Sequence, residues 1–114
     1  MLDKVPGWLV EIEDAINRIR SYTKGLNKSQ FLAHYIKCDA TALQLIIIRE
    51  AARKLPDNVR KEAPEIPWPE IVSLRNRIVH DYKTVDHAIV WGIVEQRLDE
   101  PEVAFRRMLA ARGE

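Results

Sequence analysis

The octapeptide Arg75-Asn76-Arg77-Ile78-Val79-His80-Asp81-Tyr82 puts a guanidinium, a carboxamide, an imidazole and a phenol close together in the chain. An imidazole moves protons near neutral pH, a guanidinium holds the charge of a phosphate, and a carboxamide positions either partner. Such a cast can do phosphate chemistry with no requirement for a metal. Wound as one helix from Trp68 to Tyr82, at about 100° per residue, the stretch gathers Trp68, Ile71, Val72, Leu74, Ile78, Val79 and Tyr82 into one apolar sector. Arg75 falls in its middle. An unpartnered buried guanidinium costs several kcal/mol, on the order of a small domain's whole stability, so the spacing predicts a partner for it. Glu50 is either that partner or a solvated charge at a helix rim. On the same wheel His80 lies about 140° from Arg75, whereas Asn76 and His80 are neighbours on one flank. Arg75 and His80 can meet through the reach of the arginine, through unwinding near the helix end, or across a dimer axis, and the dimer is the favoured route.

The elements that must position these residues are helical. Trp8, Leu9, Ile12, Ala15, Ile16, Ile19 and Tyr22 recur at spacings of three and four, an amphipathic helix that Gly25 ends. Asn27 or Ser29 caps a short apolar turn through Phe31, Leu32, Tyr35 and Ile36, and Asp39 caps a longer helix that Pro56 stops after Leu55. In that helix Ala40, Leu43, Leu45, Ile47, Ile48, Ala51, Ala52 and Leu55 cover more than half the wheel, a surplus that predicts contacts on two sides and a homodimer seam. Pro56 to Pro69 reads as a connecting loop. Pro69 and Glu70 suit the first turn of the third long helix, which fades past Tyr82. Thr84 or Asp86 caps a fourth helix packing through Ile89, Val90, Trp91, Ile93, Val94 and Leu98. Asp99-Glu100-Pro101 then marks a second cap or kink before Val103 to Leu109. With no strand alternation and no repeat, the expectation is an all-α, antiparallel bundle of four or five helices in a single domain, residues 1–114.

Composition narrows the classes. Eighteen basic and seventeen acidic side chains leave a net charge of +1, so phosphate recognition has to be local. The lone Cys38 allows no internal disulfide and, with no basic-then-apolar leader at the start, favours a cytoplasmic protein. No apolar run approaches the ~20 residues of a membrane span. There is no glycine-rich phosphate loop, nucleophile elbow or His-Glu-x-x-His helix. His34, His80 and His87 do not sit at a zinc spacing with Cys38, so no metal site is expected. His34 reads as a partly buried structural residue and Cys38 as inert packing.

Arg75-Asn-Arg-Ile-Val-His80-Asp-Tyr82, preceded by Ile-Pro-Trp and followed by Val-Asp-x-x-Ile-Val-Trp, resembles the HepT branch of the HEPN superfamily. Its signature is Arg, a polar residue, three further residues, His, any residue, Tyr. The likeness extends over most of the chain: an opening helix, a Phe-Leu turn, a helix ending Glu50-Ala-Ala-Arg-Lys-Leu, the proline loop and the motif. Arg49 departs from the glycine usual before that glutamate. The resemblance implies a homodimeric, metal-independent ribonuclease, the toxin of a pair whose antitoxin is a minimal nucleotidyltransferase. His80 would be its general acid or base, Arg75 would hold the scissile phosphate of RNA, and Asn76 would position the phosphate or His80. Tyr82 would be the tyrosine that the partner adenylylates, with Arg77 and Lys83 as further phosphate contacts. A non-catalytic helical adaptor for the nucleotidyltransferase is the alternative. Each residue also has a plain structural reading: Arg75 in a buried ion pair, His80 as a cation at a helix C-terminus, Tyr82 in the core.

Overall fold

The computed structural model describes residues 3–81 and 84–113. The described chain runs through α1 (Val5–Thr23), α2 (Lys28–Ala33), α3 (Tyr35–Lys54), α4 (Asp57–Arg60), α5 (Trp68–Val72), α6 (Leu74–Ile78), α7 (His87–Arg97) and α8 (Asp99–Ala110). Among the described residues the strand-type pairing is a single antiparallel bridge, Val79 to Val85, so the all-α expectation holds.

Helices α1 and α3 form the central pair. The predicted stripe on α1 goes inside, with Leu9, Ile12, Ile16 and Ile19 at most 1% exposed. They meet Leu45, Ile48, Ala51 and Ala52 of α3, where two small side chains allow close helix approach. Between the pair, Gly25 takes a positive φ of 75°, a turn conformation that a Cβ disfavours. Asn27, and not the alternative Ser29, then caps α2: its Oδ1 accepts from the Gln30 amide at 2.8 Å while Gln30 Oε1 accepts from the Asn27 amide at 2.9 Å.

The start of α3 differs from expectation. It begins at Tyr35, and Asp39 lies inside it; the cap is His34, whose Nδ1 accepts from the Lys37 amide at 3.3 Å. His34 is therefore an exposed capping residue and not a partly buried one. Cys38 is buried, as expected, and its thiol donates to the Phe31 carbonyl at 3.0 Å. Burial pushes that thiol's pKa up, and Asp39 adds to the effect.

The proline segment is more ordered than a plain loop. It contains the single turn α4, and the Arg60 guanidinium donates back to the carbonyls of Leu55 (3.0 Å), Ala52 and Arg53 (both 3.3 Å) at the end of α3. Arg60 also lies over the Trp68 ring, whose indole N–H donates to the Ala63 carbonyl at 3.1 Å and which packs edge-to-face with Phe105 of α8. Arg107 to Glu65 (2.6 Å) and Arg112 to Glu62 (2.7 Å) latch the segment to α8 from outside.

Helix α8 runs antiparallel to α1. Arg20 bonds Asp99 and, at 2.9 Å, Glu102, whereas Asn17 and Glu13 meet Arg106 further along α8, at 2.7 and 3.4 Å. Burial raises the Glu102 carboxyl's pKa, but Arg106 and Arg20 outweigh it and hold the group below the ordinary carboxylate value. A carboxyl depressed in the folded state stabilises fully above its unfolded pKa, and that stability is lost as pH falls through the folded value. Glu102→Gln should therefore cost about 1 to 2 kcal/mol at neutral pH and progressively less in acid. Urea unfolding of both proteins at neutral and acid pH measures this; a difference that does not shrink with acid would contradict the assignment.

Candidate functional site

The continuous helix expected from Trp68 to Tyr82 is not formed. α5 ends at Val72, Ser73 sits at φ −89° and ψ 3°, and α6 restarts at Leu74. Two side chains take the carbonyls that a continuous helix would bond along its own axis: Ser73 Oγ donates to Glu70 O at 3.0 Å, and Arg49 Nε donates to Val72 O at 2.9 Å. The apolar residues still pack, with Trp68, Ile71, Leu74 and Ile78 buried and Val72 and Val79 half-buried. Arg75, however, is exposed and not set in the apolar sector. It needs no buried partner. Glu50 is also exposed and is bonded by Arg49, the residue that stands where the family pattern has glycine.

The second departure comes after Ile78. Val79 is extended (φ −107°, ψ 114°), which suits its β-branched side chain, and it bridges Val85. The His80 amide donates to Thr84 O at 2.9 Å and the Asp86 amide to Ile78 O at 2.7 Å. Within the turn, Asp81 Oδ1 accepts from the Thr84 amide at 2.9 Å. His80 is thus not on a helix, and its 140° separation from Arg75 disappears. Arg75, Asn76, Val79, His80 and Asp81 line one open depression. Within one chain, unwinding at the helix end is what sets Arg75 and His80 along one depression.

The fold-back also brings up a residue that the sequence reading used only as a helix cap. Asp86 Oδ1 accepts from the Ile89 amide at 3.0 Å, capping α7, while Oδ2 lies 3.2 Å from His80 Nε2. The Ile89 amide, and then His80, hold the Asp86 carboxyl below the usual carboxylate range. One signal was available: the Val-His pair 79–80 and the Val-Asp pair 85–86 flank a short polar segment, a pattern that acquires meaning only once the chain reverses.

Other predicted residues go elsewhere. Arg77 is on the opposite flank of α6, beside a mostly apolar cavity between α5 and α7 whose rim carries the 2.6 Å Glu70–Arg97 ion pair. The pair with Arg97 holds the Glu70 carboxyl below its ordinary value, and Arg77 adds a smaller contribution. His87 points its Nε2 at Asp39 Oδ1 of α3, 3.5 Å away. The three histidines are dispersed: His34 on a cap, His80 on Asp86, His87 on Asp39. Tyr82 and Lys83 lie outside the described residues, so the expected modification site and one expected phosphate contact are placed by the sequence alone.

Comparison with known proteins decides the family. The profile described as "Ribonuclease HepT-like" matches residues 12–108, which take in α3, the broken helix, the bridge and α7. The chain belongs to the HepT-like ribonuclease family. A Methanocaldococcus jannaschii protein named "Putative RNase" is 31% identical over 87% of this chain and 89% of its own length. A Thermococcus cleftensis protein named "Probable ribonuclease HepT" is 29% identical over 89% of this chain and 92% of its own. A third, from Caldanaerobacter subterraneus and also named "Putative RNase", is 30% identical over 89% and 87%. No solved structure gives a significant match.

In this HepT-like chain the fold-back is the testable element of the site. The amides of His80 and Asp86 should exchange slowly with solvent for surface positions, because both are held in the bridge. Hydrogen exchange read by NMR checks this, and rapid exchange at both amides would mean that the bridge is not formed.

Proposed function

We propose that this protein is an endoribonuclease that cuts RNA by attack of the 2′-OH on the adjacent phosphorus. The observation that carries this reading is the shared depression in which Arg75, Asn76 and His80 stand together. The printed names of the relatives support it. In the reaction the 2′-oxygen forms a bond to phosphorus, the 5′-oxygen leaves, and a cyclic phosphate results. His80 takes the proton from the 2′-OH or returns one to the leaving oxygen. Arg75 holds the phosphate and the negative charge that grows on it, with Asn76 fixing its orientation. An imidazole and a guanidinium supply both proton transfer and charge stabilisation, so the proposed reaction is metal-independent.

A homodimer fits this chemistry. One imidazole cannot be unprotonated base and protonated acid in the same step, and a second copy supplies the other histidine. The surface offers a seam: on α3, Ile36 (69% exposed) and Leu43 (54%) recur on one side with half-buried Ala40 and Ile47. Monomers rarely leave a stripe of large apolar side chains in water. Leu43→Glu should shift the protein from dimer to monomer in light scattering, with helical content unchanged and RNA cleavage reduced. A dimer that survives the substitution would place the seam elsewhere.

The cellular role proposed is that of a toxin paired with a nucleotidyltransferase antitoxin. Transfer of AMP from ATP to the Tyr82 phenol, with release of pyrophosphate, would add bulk and a negative charge two residues from His80 along the chain. RNA would be excluded. Purified protein should cleave RNA in the presence of EDTA, and His80→Ala and Arg75→Ala should each lower the rate by roughly 10²- to 10³-fold while the fold is retained. Full activity in either variant would contradict the mechanism. Partner binding with no RNA turnover under any condition would favour the adaptor reading.

A further inference from the structure

We propose that Asp86 is a positioning residue that fixes the tautomer of His80, making Nδ1 the nitrogen that exchanges a proton with RNA. The inference rests on the reading of His80 as the acid-base group. A carboxylate can only accept hydrogen bonds, so the 3.2 Å contact between Asp86 Oδ2 and His80 Nε2 requires the hydrogen on Nε2. In the neutral ring the lone pair is then on Nδ1.

The contact is held from both sides. Asp86 cannot swing away without releasing the Ile89 amide from Oδ1 and uncapping α7. Its backbone is tied to Ile78 at 2.7 Å, and that of His80 to Thr84 at 2.9 Å, on either side of the Val79–Val85 bridge. A single carboxylate therefore joins the start of α7 to the imidazole. When the ring gains its second proton, the same carboxylate faces the positive charge and stabilises it.

The isosteric change Asp86→Asn separates this role from capping. The asparagine oxygen can still cap α7, but its NH2 group now faces Nε2. Nε2 must accept, the ring hydrogen moves to Nδ1, and the proton-transferring nitrogen is blocked. Asp86→Ser gives the second variant: serine caps helices well, and its shorter side chain does not reach the ring.

The decisive readout is the 15N shift pattern of the His80 ring, measured alongside turnover of an end-labelled, mixed-sequence oligoribonucleotide. The wild type should show the neutral ring protonated at Nε2, and Asp86→Asn should show it at Nδ1. In Asp86→Asn kcat should fall by roughly 10²- to 10⁴-fold with KM little changed, the range expected when an amide in place of a triad-type acid imposes the wrong tautomer. Asp86→Ser should melt near the wild type, lose the tautomer preference and lose rate. A wild-type ring protonated at Nδ1, or an Asp86→Asn variant that keeps both tautomer and rate, would overturn the proposal. If His80→Ala is fully active, the reading of the site fails; the ring tautomer still decides whether Asp86 sets the imidazole.

Discussion

The chain must reverse direction between Ile78 and Asp86, and the candidate site depends on that reversal. Two backbone hydrogen bonds hold it, His80 to Thr84 and Asp86 to Ile78, around the Val79–Val85 bridge. Each is worth only about 1 kcal/mol net, yet together they decide what kind of surface the motif makes. Continued as a helix, the chain would carry His80 to a flank away from Arg75. Turned back, it sets His80 and Arg75 along one depression and delivers Asp86 to both the ring and the Ile89 amide of α7.

Behind the reversal, the fold spends arginines on carbonyls at the places where helices end. Arg49 takes Val72 O at the end of α5, and Arg60 takes three carbonyls at the end of α3. Arg112 does the same for Met108 near the end of α8. A guanidinium suits this work because it presents several donors to the unpaired, partially negative C-terminal end of a helix. The consequence for function is indirect. With α5 stopped at Val72, α6 is free to take its own direction, and Arg75 stands in solvent where a phosphate can reach it.

Local chemistry made much of the fold legible. The α1 stripe, the Asn27 cap, the stop at Pro56 and the break before Asp99 follow from spacing, capping and proline geometry, and the structure shows each of them. The break at Ser73 did not follow, because one of its causes is Arg49, which reaches Val72 O from 23 residues earlier on another helix. A helical wheel drawn through Ser73 then assigned Arg75 to the core, and from that false burial came the search for a partner and the pairing with Glu50. In the site, Arg75, Asn76 and His80 could be grouped by residue type alone. Asp86 could be read only as a cap, because its second role appears when the chain folds back through three dimensions. His34 was misread for a similar reason: its ring caps a helix that starts five residues earlier than Asp39 suggested.

What unites these features is a small helical scaffold that bonds one nitrogen of the His80 imidazole to Asp86 and sets that histidine along a depression it shares with the exposed Arg75. Such an arrangement has a use if the nucleophile belongs to the substrate, since described residues of the depression offer no serine or cysteine to attack phosphorus. In the proposed reaction the ribose 2′-OH fills that role. The most direct measurement is cleavage of an oligoribonucleotide that carries a single 2′-deoxy sugar on the 5′ side of the bond that the protein cuts in the all-ribose strand. Attack by the 2′-OH predicts that this bond stays intact while the all-ribose strand is cut and ends in a cyclic phosphate. Cleavage of the deoxy-substituted bond at an undiminished rate would contradict it.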